Sequence, residues 1–120
     1  MPSSIPPKLN RPLNEMKADL FRALAHPARV RALEVLVEGE CTVGELQPQV
    51  GIESSHLSQQ LAVLRRAGLV STRKEGSSVY YALRDPLVAE LLVVAKQFLQ
   101  ASLTQTRELL SGLDAELNER

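Results

Sequence analysis

The stretch that decides the fold is Thr42–Leu83, TVGELQPQVGIESSHLSQQLAVLRRAGLVSTRKEGSSVYYAL. It opens on Thr42-Val43-Gly44-Glu45, a capping box in which the threonine hydroxyl and the glutamate carboxylate satisfy free backbone donors at a helix start. A short helix carrying Leu46 and Val50 follows and stops at Gly51, with Pro48 inside it by strict count. Ser54 or Ser55 then caps a second helix that runs to Ala67, and Gly68 is its left-handed terminator. After Gly68 the apolar period changes from 3.6 to 2. Leu69 to Lys74 and Val79 to Leu83 read as strands joined by the four-residue loop Glu75-Gly76-Ser77-Ser78. Two short helices joined by a tight turn and followed by a hairpin make a winged helix-turn-helix, in which the second helix enters the major groove and the hairpin reaches the flanking backbone.

That role can be tested on the second helix at 100° per residue. Leu57, Leu61 and Leu64 fall within about 60° of one another and face a core. The opposite side presents Ser55, Gln59, Ala62 and Arg66, flanked by His56 and Ser58. Small and amide side chains are what groove reading requires, because glutamine can bond adenine N6 and N7 together and serine bonds base or backbone. The free N–H groups at a helix N-terminus favour phosphate.

Charge agrees. The chain of 120 residues is neutral, with 14 Lys+Arg against 14 Asp+Glu, a sum that by itself argues against a polyanionic partner. The balance is uneven: residues 54–84 hold five basic groups (Arg65, Arg66, Arg73, Lys74, Arg84) and one acid, Glu75, while acids prevail on both sides. The candidate DNA contacts are therefore Ser54, Ser55, His56, Ser58, Gln59 and Gln60 on the helix, with Arg65, Arg66, Arg73 and Lys74 on the phosphates.

Outward from this stretch, residues 1–12 are polar and proline-rich and read as a flexible arm. A helix begins at Leu13 and ends at His26-Pro27, and a second, opened by Pro27, stops at Gly39. Downstream of the hairpin, Asp85-Pro86 starts a last helix expected to reach Ser111, which leaves residues 112–120 as a tail and 13–111 as one domain. This helix is apolar around most of its circumference, more than one small domain can cover. A homodimer is expected, with Leu91, Ala95, Phe98 and Leu99 packed beside Leu13, Met16 and Leu20 of the first helix. The fold class is thus mainly α with a β-hairpin wing, a winged helix-turn-helix with N- and C-terminal dimerisation helices.

The stretch Phe21–Leu83 resembles the ArsR/SmtB family of bacterial winged-helix repressors. That family carries a Ser-Gln-His-Leu core in its recognition helix and then Leu-Arg-x-Ala-Gly-Leu-Val. This chain has Ser58-Gln59-Gln60-Leu61 and Leu64-Arg65-Arg66-Ala67-Gly68-Leu69-Val70, with Gln60 where histidine is usual. The resemblance implies a homodimer that binds a palindromic operator on double-stranded DNA and blocks transcription until an effector, here unidentified, releases it. The family's metal sites do not carry over. Its Cys-x-Cys-Asp-Leu motif, set on Glu45-Leu46, puts Thr42 and Gly44 at the cysteine positions, and no histidine follows His56. Reactive-sulfur sensing within one protomer takes two cysteines, and Cys41 is the only one. The expectation is a non-metal branch that needs no cofactor.

Other classes fit less well. Neither a glycine-rich phosphate loop nor a nucleophile elbow is present, so an enzyme is not expected. The alternative is a winged helix that binds only protein, which would lack the polar reader face and the basic hairpin. No run nears the ~18 consecutive apolar residues of a membrane span, the start has no signal-peptide core, and a cytoplasmic protein with no membrane partner is expected.

Overall fold

The computed structural model describes residues 11–118. Five helices and one hairpin follow in the order α1 (Leu13–Leu24), α2 (Pro27–Val37), α3 (Val43–Val50), α4 (Ser54–Arg66), β1 (Val70–Glu75), β2 (Ser78–Leu83) and α5 (Pro86–Asn118). Residues 1–10, most of the expected arm, lie outside the described residues. The chain divides into two compact units, one ending at Asp85 and the other beginning at Pro86.

In the first unit the start of α2 and both ends of α3 have local causes. Pro27 sits at the start of α2, and His26 caps it by accepting the Ala28 N–H on Nδ1 at 3.1 Å. The histidine is thus a cap. Thr42 and Glu45 close the capping box of α3 in both directions, at 3.2 Å and 3.0 Å, and Gly51 ends that helix in the left-handed region at φ 81°. Pro48 does lie inside α3, but the helix ends two residues later, so the missing donor removes one bond from a last turn.

The cap of α4 differs from the expectation. Glu53 is the N-cap: its carbonyl accepts the Leu57 N–H at 2.9 Å as the first intrahelical bond, and its side chain makes no capping bond. Ser54 and Ser55 therefore stand in the first turn itself, with exposed side chains. At the other end the Leu69 N–H bonds the Leu64 carbonyl and the Gly68 N–H that of Arg65, both at 3.0 Å, with Gly68 at φ 78°. This is the Schellman arrangement. It uses the Leu69 N–H, so β1 begins at Val70.

The hairpin turn is tighter than the expected four-residue loop. Pairing runs from Val70↔Leu83 to Glu75↔Ser78, which leaves two residues at the tip. Gly76 has φ 62° and Ser77 is not in the positive region, the sign pattern of a type II′ turn, whose twist matches that of the strands. An isolated antiparallel bridge between Cys41 and Tyr81, with N–O distances of 3.0 and 2.8 Å, ties the segment before α3 to the inner strand. Leu33, Leu46, Leu57, Leu61, Leu64 and Val70 are the largest fully buried side chains.

The second unit is α5, 33 residues or about 50 Å at 1.5 Å per residue. It continues through Gly112 to Asn118, so 112–118 are helical where a tail was expected. Gly112 is tolerated there because one glycine costs only about 1 kcal/mol against alanine. Among its described residues only Val88 is buried. By length and mean hydropathy, 1.3 over its most apolar window, α5 would be long and apolar enough to cross a membrane, a property it shares with helices that are covered by a protein partner.

Candidate nucleic-acid interface

The site is built on α4 and the hairpin. Leu57, Leu61 and Leu64 are fully buried, and this fixes which side of α4 is left outside. Ser54, Ser55, His56, Ser58, Gln59, Arg65 and Arg66 are all exposed. They form a polar surface whose N-terminal half is small and uncharged and whose C-terminal end is cationic. With no side chain capping α4, its first-turn N–H groups remain for an incoming acceptor.

Gln60 does not join this surface. It is half-buried, and its Oε1 accepts a bond from Nη1 of Arg29 on α2 at 3.3 Å, so its amide oxygen is engaged within the protein. At the far end of α4, Ala62, Arg65, Arg66 and Tyr81 line an open cleft of about 400 Å³, which places one hairpin aromatic beside both arginines.

The hairpin cations have different surroundings. Lys74 is exposed. Arg73 donates from Nε to Glu40 Oε2 at 2.9 Å and from Nη1 to Glu75 Oε2 at 2.8 Å, and a further bond joins Nη2 to Glu40. Its guanidinium also lies 4.5 Å from the centre of the Tyr80 ring, the residue opposite it in the hairpin. The two carboxylates push the arginine further up, and bonding to Arg73 holds the Glu40 carboxyl below its usual range. Arg73 is thus a neutralised cation that ties the hairpin to the segment after α2. Sequence reading missed Glu40, since nothing local marks an ion pair between residues 33 apart.

Cys41 is half-buried beside Glu40 and Glu45; burial first, and then the two carboxylates, push its thiol up. That is the electrostatic opposite of a reactive thiol. Among the described residues no group of three or more His, Cys, Asp or Glu could hold a metal ion.

The residues expected at a dimer interface are mostly open. Leu13, Met16, Ala95, Phe98 and Leu99 are exposed and Leu20 and Leu91 half-buried, with Phe98 at 70%.

A winged helix-turn-helix whose second helix keeps an open polar face is the architecture of a class of DNA-binding transcriptional regulators, and comparison with known proteins narrows it. Residues 26–72 match the model of the bacterial regulatory protein arsR family. Rv0081 of Mycobacterium tuberculosis, named an uncharacterized HTH-type transcriptional regulator, is 50% identical over 107 residues, which are 88% of this chain and 94% of that protein. Its crystal structure superposes with a TM-score of 0.74 at 52% identity, covering 80% of this chain and 97% of the other. The biofilm growth-associated repressor of Xylella fastidiosa is 45% identical over 75 residues, 62% of this chain and 66% of that protein. The DNA-binding domain of Mb0332 from Mycobacterium bovis, described as a homodimeric winged helix-turn-helix, matches at TM-score 0.68 and 28% identity over 83% of this chain and 91% of that one. The chain belongs to the arsR family of bacterial transcriptional regulators.

Proposed function

We propose that this regulator is a homodimeric repressor that recognises an inverted-repeat operator, with Ser54, Ser55, His56, Ser58 and Gln59 of α4 in the major groove and Arg65, Arg66 and Lys74 on the flanking phosphates. The observation that carries this reading is the division of α4 into a face of three fully buried leucines and an opposite, open face of serines and an unengaged glutamine. Phosphate contacts set position and base contacts set sequence, and both kinds of side chain lie on this one element.

In this reading the protein works in the cytoplasm, has no catalytic activity and needs no bound metal or cofactor. Its effector is a chemical signal other than a metal ion held at the family's cysteine positions. The apolar surface of α5 belongs to the partner protomer rather than to lipid. That assignment is supported by Glu90 and Lys96, which would be costly along a membrane span, and by the homodimeric description of the M. bovis relative.

The test is competitive binding to the protein's own upstream DNA against a scrambled duplex. Ser55→Ala and Gln59→Ala should each reduce discrimination by roughly 1–3 kcal/mol while non-specific binding persists. Wild-type discrimination in both variants would show that α4 does not read the sequence.

A further inference from the structure

Arg29 is the third residue of α2, and its guanidinium touches two other helices. Nη1 donates to the Gln60 side chain on α4 at 3.3 Å, and Nη2 donates to the backbone carbonyl of Arg22 in the last turn of α1 at 3.2 Å. Its Nε is buried and has no partner among the described residues. A cation at the C-terminal carbonyls of α1 suits that helix's dipole. The planar fork spans two acceptors that a lysine ammonium, a point donor on a flexible stem, would not hold together.

We propose that Arg29 is a positioning residue for DNA recognition: through Gln60 it fixes the rotation of α4 about its own axis and so aims Gln59 and Ser55 at the base edges. The packing of Leu57, Leu61 and Leu64 sets which side of α4 faces the core, but the burial that drives it is non-directional, so the fine setting of the roll is left to a directional bond. Gln60 lies on the flank, between that buried side and the open one, where a directional bond acts on the roll most strongly. At a side-chain radius of about 5–6 Å, a roll of about 10° moves a reader side chain by about 1 Å. That is enough to break hydrogen bonds whose useful range spans about half an ångström. The same guanidinium anchors α1, so a shift of α1 reaches the reader helix through one side chain. Gln60 accordingly acts as a support for the reading face and not as a reader.

The proposal rests on α4 being the reader, and its test separates the two. Binding of wild-type, Gln60→Ala, Arg29→Lys and the double variant to operator and scrambled DNA is measured, with thermal unfolding as a check on folding. Arg29→Lys keeps the charge, so the affinity for scrambled DNA stays near wild type. Each single variant should lower the operator-to-scrambled ratio about three- to ten-fold, the double variant no further, as expected for two ends of one contact. A wild-type ratio in Gln60→Ala or Arg29→Lys, or losses that multiply in the double variant, would overturn it. If Arg29→Lys fails to fold, Gln60→Ala alone decides. A wild-type protein with a ratio of one would remove the reader assignment, and this proposal with it, before any substitution is compared.

Discussion

Lys74 and Arg73 are neighbours of like charge on β1, yet their surroundings give them different work. Lys74 is exposed, whereas Arg73 is held between Glu40 and Glu75 and stacked on Tyr80. A cation already neutralised by carboxylates releases few phosphate counterions unless it first leaves them. Lys74→Ala should therefore weaken binding to every DNA sequence and lower the salt slope by about one, and Arg73→Ala should change the slope by less. Equal slope changes in titrations over salt would show that Arg73 exchanges its carboxylates for phosphate. Glu40→Gln bears on the same cluster. Because bonding to Arg73 lowers the Glu40 carboxyl, whatever stability the pair adds is present above the ordinary glutamate range and is lost as the pH falls through the lowered value. The difference in urea midpoint between wild type and Glu40→Gln should be small, since both groups are exposed, and should vanish in acid. A difference that persists there would mean the pair's charge is not its cause.

At the scale of elements, α4 depends on its stop signal as much as on its core. Gly68 sits at φ 78° in open space, where an added Cβ would meet only the Arg84 guanidinium at 4.0 Å. Gly68→Ala should thus cost about 1–2 kcal/mol from the backbone alone, and Leu61→Ala should cost about 2–5 kcal/mol through the cavity it leaves. Denaturant midpoints check both; a neutral Gly68→Ala would mean the left-handed terminator does not hold the hairpin entry. Elements of this kind were legible in the sequence because their signals are local: the Thr42–Glu45 box, Pro27, Gly68, and the leucines at helical spacing. The errors were local too. The serine-rich start of α4 points to a serine cap, but the N-cap position falls one residue earlier, on Glu53, and the serines enter the first turn, and the Gly76-Ser77 tip closes in two residues because glycine supplies the positive φ that a longer loop would avoid. What could not be read is the set of long-range contacts. Neither the Cys41–Tyr81 bridge nor the bonds from Arg29 to Gln60 and from Arg73 to Glu40 follow from spacing or pattern. They depend on how elements pack, and they decide which of the expected DNA contacts are already engaged. The end of the last helix was not legible either: α5 runs past Ser111 and through Gly112, a residue type that ends many helices.

For the whole molecule, the exposed side chains of α5 call for a second protomer. Phe98 at 70%, Leu99 at 65% and Leu103 at 52% exposure form a contiguous apolar surface of the kind that monomeric proteins rarely leave in water. Phe98→Glu should shift the protein from dimer to monomer in sedimentation at micromolar concentration and abolish operator binding, although Phe98 does not lie on the reader helix; an intact dimer in that variant would place the interface elsewhere. A two-fold dimer sets two copies of α4 about one turn of DNA apart, near 34–36 Å, so its operator must repeat with matching symmetry. Footprinting of the purified protein on its own upstream DNA at several salt concentrations tests this most directly. Two protected half-sites in inverted repeat are expected, centred about 10 base pairs apart, with protection that survives competition by scrambled DNA. Protection without symmetry, or occupancy that depends on salt but not on sequence, would contradict that arrangement.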